Sequence, residues 1–389
     1  MFAWVARRWL KCGIALAAMA AIVFSGWYVF FRAEPGRPYE PSPLSFDSTS
    51  DKLQHTVIVP TLDTPIPEGK SAIWCASFQF AWNRLKNDVA KEPVKLANAQ
   101  VIAERLNTAN VSEEDVNPGD VYAAAGFANN GIVNRIHEQM ARRFPNARVP
   151  ELAIPSDGAL AYAYLAASVK FDLPFFDNDE PFQFADSAGN KTAITSFGIR
   201  KQDDYAYEQL RKQVEILYGS EYVEAAIPEF ILDPCTSSQP YQIVLARVDR
   251  KSTLGETLVD IGQKIASDPM KKKWGDGKLH PRDTLLIPNM AWQITHRFKE
   301  LEGTDKQFLN PSPHGVHLDA AIQTIQFRLD RSGAELASES KVFVKPYDSH
   351  FLLNRPFLIY MKKRDGKQPF FVMWVDNAEL LQRFGVEYK

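Results

Sequence analysis

His314 and His317, in the run Pro313-His314-Gly315-Val316-His317, are the one place in the chain where two imidazoles are close enough in sequence to share a metal ion. No third ligand follows at a regular zinc spacing, so the run reads as a turn with solvated imidazoles and no metal is assigned. Asp177-Asn178-Asp179-Glu180 resembles the start of a calcium loop. It lacks the glycine of the sharp turn and the closing bidentate Glu, and reads as a solvated acidic loop. Met270-Lys271-Lys272-Lys273 is a short basic run of the kind found at a helix C-terminus or on a surface face. The chain contains no GxSxG, HExxH or P-loop, and no GxGxxG in a strand-turn-helix setting. No catalytic residue or cofactor is assigned, and the chain is not read as an enzyme. An exported enzyme without these signatures is the least favoured reading. Of three cysteines, Cys12, Cys75 and Cys235, the last two lie in the body of the chain. They fit one disulfide in an oxidising compartment, or equally two separate buried thiols.

The elements that must carry any chemistry begin with Gly13 to Phe31, GIALAAMAAIVFSGWYVFF, which holds no charge and is long enough for a hydrocarbon core of roughly 30 Å. Arg7, Arg8 and Lys11 precede it, which predicts a cytoplasmic N-terminus and a body outside. An uncleaved anchor is favoured over a cleaved signal peptide, because the run is long for a signal core and no clean small-x-small site follows. After secretion by cleavage the body would be exported all the same. Residues 1–32 are thus read as cytoplasmic tip and transmembrane anchor. Residues 33–54, with Pro35, Pro38, Pro41 and Pro43, are read as an extended tether, and 55–389 as one folded domain. A 389-residue chain that is 45% hydrophobic and 24% charged, with net charge −2, is ordinary and globular, and nucleic acid is an unsuitable partner.

Within the body, Ser71 to Lys86 places Trp74, Phe78, Ala81, Trp82 and Leu85 at helical spacing. Helices are also predicted over 97–106 and 131–144, the latter with Ile132, Ile136 and Met140 on one side. From Leu160 onward strand-like runs dominate: LAYAYLAASVKF, KTAITSFGI, QVEILYG, YQIVLARV, DTLLIPNMAWQI, IQTIQFRL, RPFLIYMKK and QPFFVMWV. One helix, 254–266, interrupts them after a Ser252 or Thr253 cap. Helices first and strands later predict an α+β fold.

The order of these runs resembles the serpin family. Asn354-Arg355-Pro356-Phe357, the turn at Arg364-Asp365-Gly366, and Phe370 to Asn377 are similar to the family's C-terminal strand pair, with Trp374 where a small or basic residue is usual. Gln323 to Gly333 resembles the strand that leads into the family's reactive loop, with Gln323 in place of a His and Arg331 in place of a Glu. Leu165 to Phe175 is similar to YFKGxWxxPF, with Phe171 for the Trp and Pro174-Phe175 retained. Asp283 to Glu300 resembles a further strand-helix segment, and Ser71 to Leu85 the family's first helix. Residues 86–159 offer no clear match.

The resemblance implies a serpin-like single domain of N-terminal helices packed on large mixed and antiparallel sheets, preceded by one transmembrane helix. It implies a target protease as partner and a loop that, once cleaved, inserts as a strand of the central sheet. Gly333, Ala334, Glu335, Leu336, Ala337 and Ser338 would form the hinge, and Tyr347-Asp348 the scissile bond, which suits a chymotrypsin-like target. The alternation itself is in the residues: Ala334, Leu336, Ser338, Ser340, Val342 and Val344 share one face, while Glu335, Glu339, Lys341 and Lys345 fall on the other. A fixed edge strand gives the same pattern, so a non-inhibitory scaffold with a fixed loop stands beside the inhibitor. Leu336 and Glu339 interrupt the small-residue run usual in inhibitory hinges.

Overall fold

The computed structural model describes residues 43–388 apart from 146, 148, 153, 156, 167, 200–204, 221–226, 268–276 and 333–349. Strands β1 (Phe46–Thr49), β2 (Thr56–Ile58) and β3 (Ser71–Cys75) come first, followed by helices α1 (Ala76–Arg84) and α2 (Gln100–Thr108). Next come β4 (Val121–Phe127), α3 (Ile132–Arg143), β5 (Ala159–Ala166), β6 (Phe176–Ala185), β7 (Lys191–Ile199), α4 (Tyr205–Gln213), β8 (Glu215–Gly219), β9 (Phe230–Asp233) and β10 (Tyr241–Arg247). The chain continues through α5 (Leu254–Ser267), β11 (Thr284–Pro288), β12 (Met290–Arg297), β13 (Leu318–Leu329), β14 (His350–Leu352), β15 (Phe357–Lys363) and β16 (Pro369–Val375).

Three sheets organise these elements: five strands in the order β1-β12-β13-β5-β4, seven in the order β2-β3-β16-β15-β10-β9-β8, and four in the order β14-β11-β7-β6. The expected C-terminal pair is present as the antiparallel β15–β16 ladder, with Phe357 opposite Val375 and Met361 opposite Phe371. Its turn is fixed by Arg364, which reaches the fully buried Asp233 carboxylate at 3.0 Å and donates to the Cys235 and Ser238 carbonyls. The α5 helix starts as predicted, with the Glu256 amide donating to the Thr253 hydroxyl at 3.1 Å. One large core lies among the sheets, and a smaller one forms where Ile132, Ile136 and Met140 of α3 cover Leu160, Tyr162 and Ala320.

Three expectations change. Ser71–Cys75 is a strand and the helix starts only at Ala76, because β3 is sandwiched between β2 and β16 and buried along its whole length. Asp177–Glu180 is no loop: it belongs to β6, whose pairing with β7 slips between Asn178 and Phe182. Phe46–Thr49, inside the stretch read as tether, pairs in parallel with β12, Phe46 opposite Trp292 and Thr49 opposite Thr295. The anchor Gly13–Phe31 and the first part of the tether lie outside the described residues. Among the described residues no helix is long and apolar enough to cross a membrane.

Candidate strand-insertion site

β13 stands in the middle of the five-stranded sheet and pairs antiparallel with β12 on one side, Met290 opposite Leu329. On its other side it pairs in parallel with β5, from Leu318 opposite Ala159 to Gln326 opposite Ala166. β5 in turn pairs antiparallel with β4. The β13–β5 contact is therefore the one parallel ladder in the interior of this sheet, a seam between two antiparallel pairs. Parallel pairing is slightly weaker per residue than antiparallel pairing.

The seam is already parted at one end. β5 stops at Ala166 while β13 runs on through Phe327, Arg328 and Leu329, and a cavity of about 260 Å³ lies where the strands diverge. Ala166, Phe171, Phe327, Leu329, Ser332 and Met361 are among its walls. Each lip is held separately. The Ala166 amide donates to the Asp120 carbonyl at 3.0 Å, and the Asp120 carboxylate accepts from the Tyr241 hydroxyl at 2.6 Å. Beyond β13, the Phe175 amide donates to the Arg331 carbonyl at 3.1 Å, and the Arg331 guanidinium pairs with Asp177 at 3.0 Å.

The two faces of the seam differ in size. Ala159, Ala161 and Ala163 of β5 face the main core, while Leu160, Tyr162 and Tyr164 face α3. The small inner residues let α1 approach the sheet. On that side Gln323 of β13 is fully buried, and its amide nitrogen donates to the Cys75 carbonyl at 3.0 Å and the Ser77 hydroxyl at 2.8 Å. On the α3 side the Thr324 and Thr295 hydroxyls lie 3.0 Å apart, and the Tyr164 hydroxyl donates to the side-chain Oε1 of Gln326 at 3.1 Å. Burial pushes the Tyr164 phenol up to about 12 and the Tyr162 phenol higher still, so both are neutral at physiological pH.

The hinge residues Gly333, Ala334, Glu335, Leu336, Ala337 and Ser338 and the pair Tyr347-Asp348 lie outside the described residues; the chain reaches Ser332 at the parted end of the seam and resumes at His350 in β14. Cys75 and Cys235 do not meet. They are separate buried thiols, and burial pushes Cys75 up to about 11. Cys75 lies beside Ser77 at 3.2 Å, whereas Cys235 accepts from the Asp172 amide at 3.4 Å. His317 pairs with Asp319 at 3.0 Å, and among the described residues no group of three His, Cys, Asp or Glu could hold a metal ion. Sequence reasoning missed β5 as one side of the seam. The alternation of alanine with Leu and Tyr in LAYAYLA was the available signal, since it marks a strand buried on both faces with one face kept small.

No protein-family model matches the chain, and no curated protein matches it in sequence. Among solved structures it is similar to glycosylated human kallistatin, at 12% identity over 80% of this chain and 92% of that one, with a TM-score of 0.49. It is similar to mouse protein-Z dependent protease inhibitor at 12% identity over 79% and 91%, TM-score 0.49. Thyroxine-binding globulin in complex with thyroxine gives 11% identity over 79% and 93%, TM-score 0.47. At these identities no residue role carries over from them.

Proposed function

We propose that this chain is a serpin-like inhibitor of a serine or cysteine protease, exported and held at the membrane by Gly13–Phe31. The observation that carries the reading is the parallel seam between β13 and β5, parted at the end where the chain leaves β13 for Gly333. A strand folding back from Gly333 would run antiparallel to β13, and hence to β5 as well. It would replace one parallel ladder with two antiparallel ones. β13 is 12 residues long, and Ala334 to Lys345 supplies a strand of the same length before Pro346, which has no amide hydrogen to offer. The uncharged face of the alternation, Ala334 to Val344, would enter the core, and Glu335, Glu339, Lys341 and Lys345 would take the other face.

The chemistry belongs to the target. With a serine protease, its hydroxyl oxygen forms an ester with the Tyr347 carbonyl carbon while the Tyr347–Asp348 amide breaks and its nitrogen leaves as the new amino terminus. Insertion of the freed strand then drags the acyl-enzyme along the seam before water can cleave the ester. This is a stored-strain switch, and it asks for no catalytic side chain on the inhibitor. Tyr347 before the bond suits a chymotrypsin-like protease.

Nicking the 333–349 segment with a promiscuous protease and comparing thermal unfolding before and after tests the proposal. Insertion adds a full strand of ladder and core contacts, so the midpoint rises by roughly 10 °C or more, several kcal/mol at the scale of this chain. An unchanged or lowered midpoint rules insertion out and leaves a binding protein with a fixed loop.

A further inference from the structure

At one end of the seven-stranded sheet, β3 begins at Ser71, β16 ends at Val375, β15 begins at Phe357, β10 ends at Arg247 and β9 begins at Phe230. A cleft of about 820 Å³ lies among the connections at these ends. Arg247, Arg250 and Arg355 all line it, with Pro228, Pro356 and Trp374 as apolar walls. Arg247 is half-buried: its Nη1 donates to the Leu352 carbonyl at 3.0 Å and reaches the Asn354 Oδ1 at 3.5 Å, and its guanidinium stands 6.0 Å from the Phe230 ring centre. The Arg250 Nη1 donates to the Ile66 carbonyl at 2.9 Å, and Arg355, in the connection from β14 to β15, is exposed. Among the described residues none of the three forms an ion pair with a carboxylate.

The acids of the cleft are either engaged elsewhere or exposed. Glu229 accepts from Lys264 at 3.0 Å and from the Asp249 amide at 3.3 Å. Asp376 accepts from the Ser187 hydroxyl at 2.6 Å and from the Trp374 indole at 3.2 Å. Glu68 and Asp249 are exposed. Burial, and then the charge of Arg355, pushes the Arg247 guanidinium below its ordinary value, although a guanidinium stays charged in a protein. Two cations are thus held near each other in a half-buried cleft with no carboxylate of the chain to balance them, and an incoming anion would relieve their repulsion. Most of the N–H donors on these guanidiniums are unused by the fold, in the fork geometry that grips a phosphate by two oxygens. Three cations call for about three negative charges, more than a single phosphate supplies at roughly −1.5 to −2. We propose that this cleft binds a small soluble molecule with two linked phosphate groups, with Arg247 and Arg355 as the gripping forks and Arg250 as the third cation. The exposed carboxylates of Glu68 and Asp249 repel an extended polyanion lying across the surface and favour a compact one among the arginines. Bound there, it would fasten the β14–β15 connection, which Arg247 holds, to the segment before β3, which Arg250 holds.

Isothermal titration of the full chain in a non-ionic detergent with inorganic pyrophosphate, at about 0.15 M salt, tests the site without any protease. Saturable one-to-one binding with a Kd below about 100 μM is expected, at least tenfold tighter than for inorganic phosphate or citrate. Arg355→Gln, at an exposed residue with no ion pair among the described residues, is expected to weaken binding by about tenfold or more. Arg247→Lys, which keeps the charge and loses the fork, is expected to weaken it by a similar factor. Arg142→Gln, on an exposed position of α3, should leave it unchanged. Pyrophosphate should also raise the thermal midpoint of the unaltered chain and not that of Arg355→Gln. Absence of saturable heat up to about 5 mM pyrophosphate overturns the proposal. Binding that survives both Arg355→Gln and Arg247→Lys overturns it too, because the anion then sits elsewhere. Citrate binding as tightly as pyrophosphate refutes the phosphate class, and phosphate binding as tightly refutes a grip on two linked groups.

Discussion

Gln323 joins the strand beside the seam to the first turn of α1. Among the described residues its amide nitrogen is the one side-chain donor to the Cys75 carbonyl, and its own side-chain oxygen is buried without a hydrogen-bond partner. In Gln323→Leu the shape is nearly kept, but a buried carbonyl and the Ser77 hydroxyl lose their donor. Leaving buried acceptors unpaired costs about 1–3 kcal/mol. The urea midpoint is expected to fall accordingly with the denaturant slope unchanged; no shift would mean that Ser77 and the backbone find other donors. That a polar residue stands here was visible in the sequence, where Gln323 takes the place of a His in the resemblance. Its partners were not, since they lie almost 250 positions away and depend on β3 ending at Cys75. The cysteines teach the same lesson: two thiols in one body invite pairing on paper, yet one lies at the end of β3 and the other after β9.

At the scale of elements, the end of β12 is pinned to the turn after β1 by His296. Its Nδ1 lies 2.6 Å from the Ser50 hydroxyl, its ring stands edge-on to Phe298, and burial, then the nearby Lys299, pushes its pKa down to about 4. The folded state therefore binds this proton less readily than the unfolded chain, whose imidazole titrates near 6.5. The stability this group leaves intact above about pH 6.5 is lost as pH falls toward about 4, by up to roughly 3 kcal/mol. In His296→Asn, which can still bond Ser50 and does not titrate, the thermal midpoint should lose much of its slope over that window. An unaltered slope assigns the acid sensitivity to other groups. Elements with explicit boundaries were legible: β7 was read to its limits between its bounding turns, and α5 because its cap was explicit. Ser71–Cys75 was not, since a strand buried on both faces has no polar period to contradict a helical one. Asp177–Glu180 was misread because β6 is an edge strand, where charges and a register slip are tolerated and look like a loop.

For the whole molecule, the α+β class and many of the strands followed from local pattern, whereas their order in the sheets and the seam did not. It joins residues 159–166 to residues 318–326, and nothing in either run names the other. The direction of that pairing also set the functional reading, because a parallel ladder leaves room in the topology for an antiparallel strand from the following loop. That the start of β1 and the end of β13 lie at one end of the sheet is likewise a property of three strands in register and of no single segment.

The short strand β1 has a further effect on how the folded body behaves in solution. It is the outermost strand beside β12, and the hydrogen-bonding groups it covers would otherwise form a bare edge open to any extended peptide, including another copy of the same sheet. A soluble body beginning at Pro43 should remain monodisperse in light scattering at rising concentration. One beginning at His55, the boundary that composition alone suggests, should self-associate. If both stay monomeric, the edge is shielded by something other than β1. The first residues after the tether would on this view act as a chaperone in cis, keeping the edge of an expandable sheet from recruiting its neighbours.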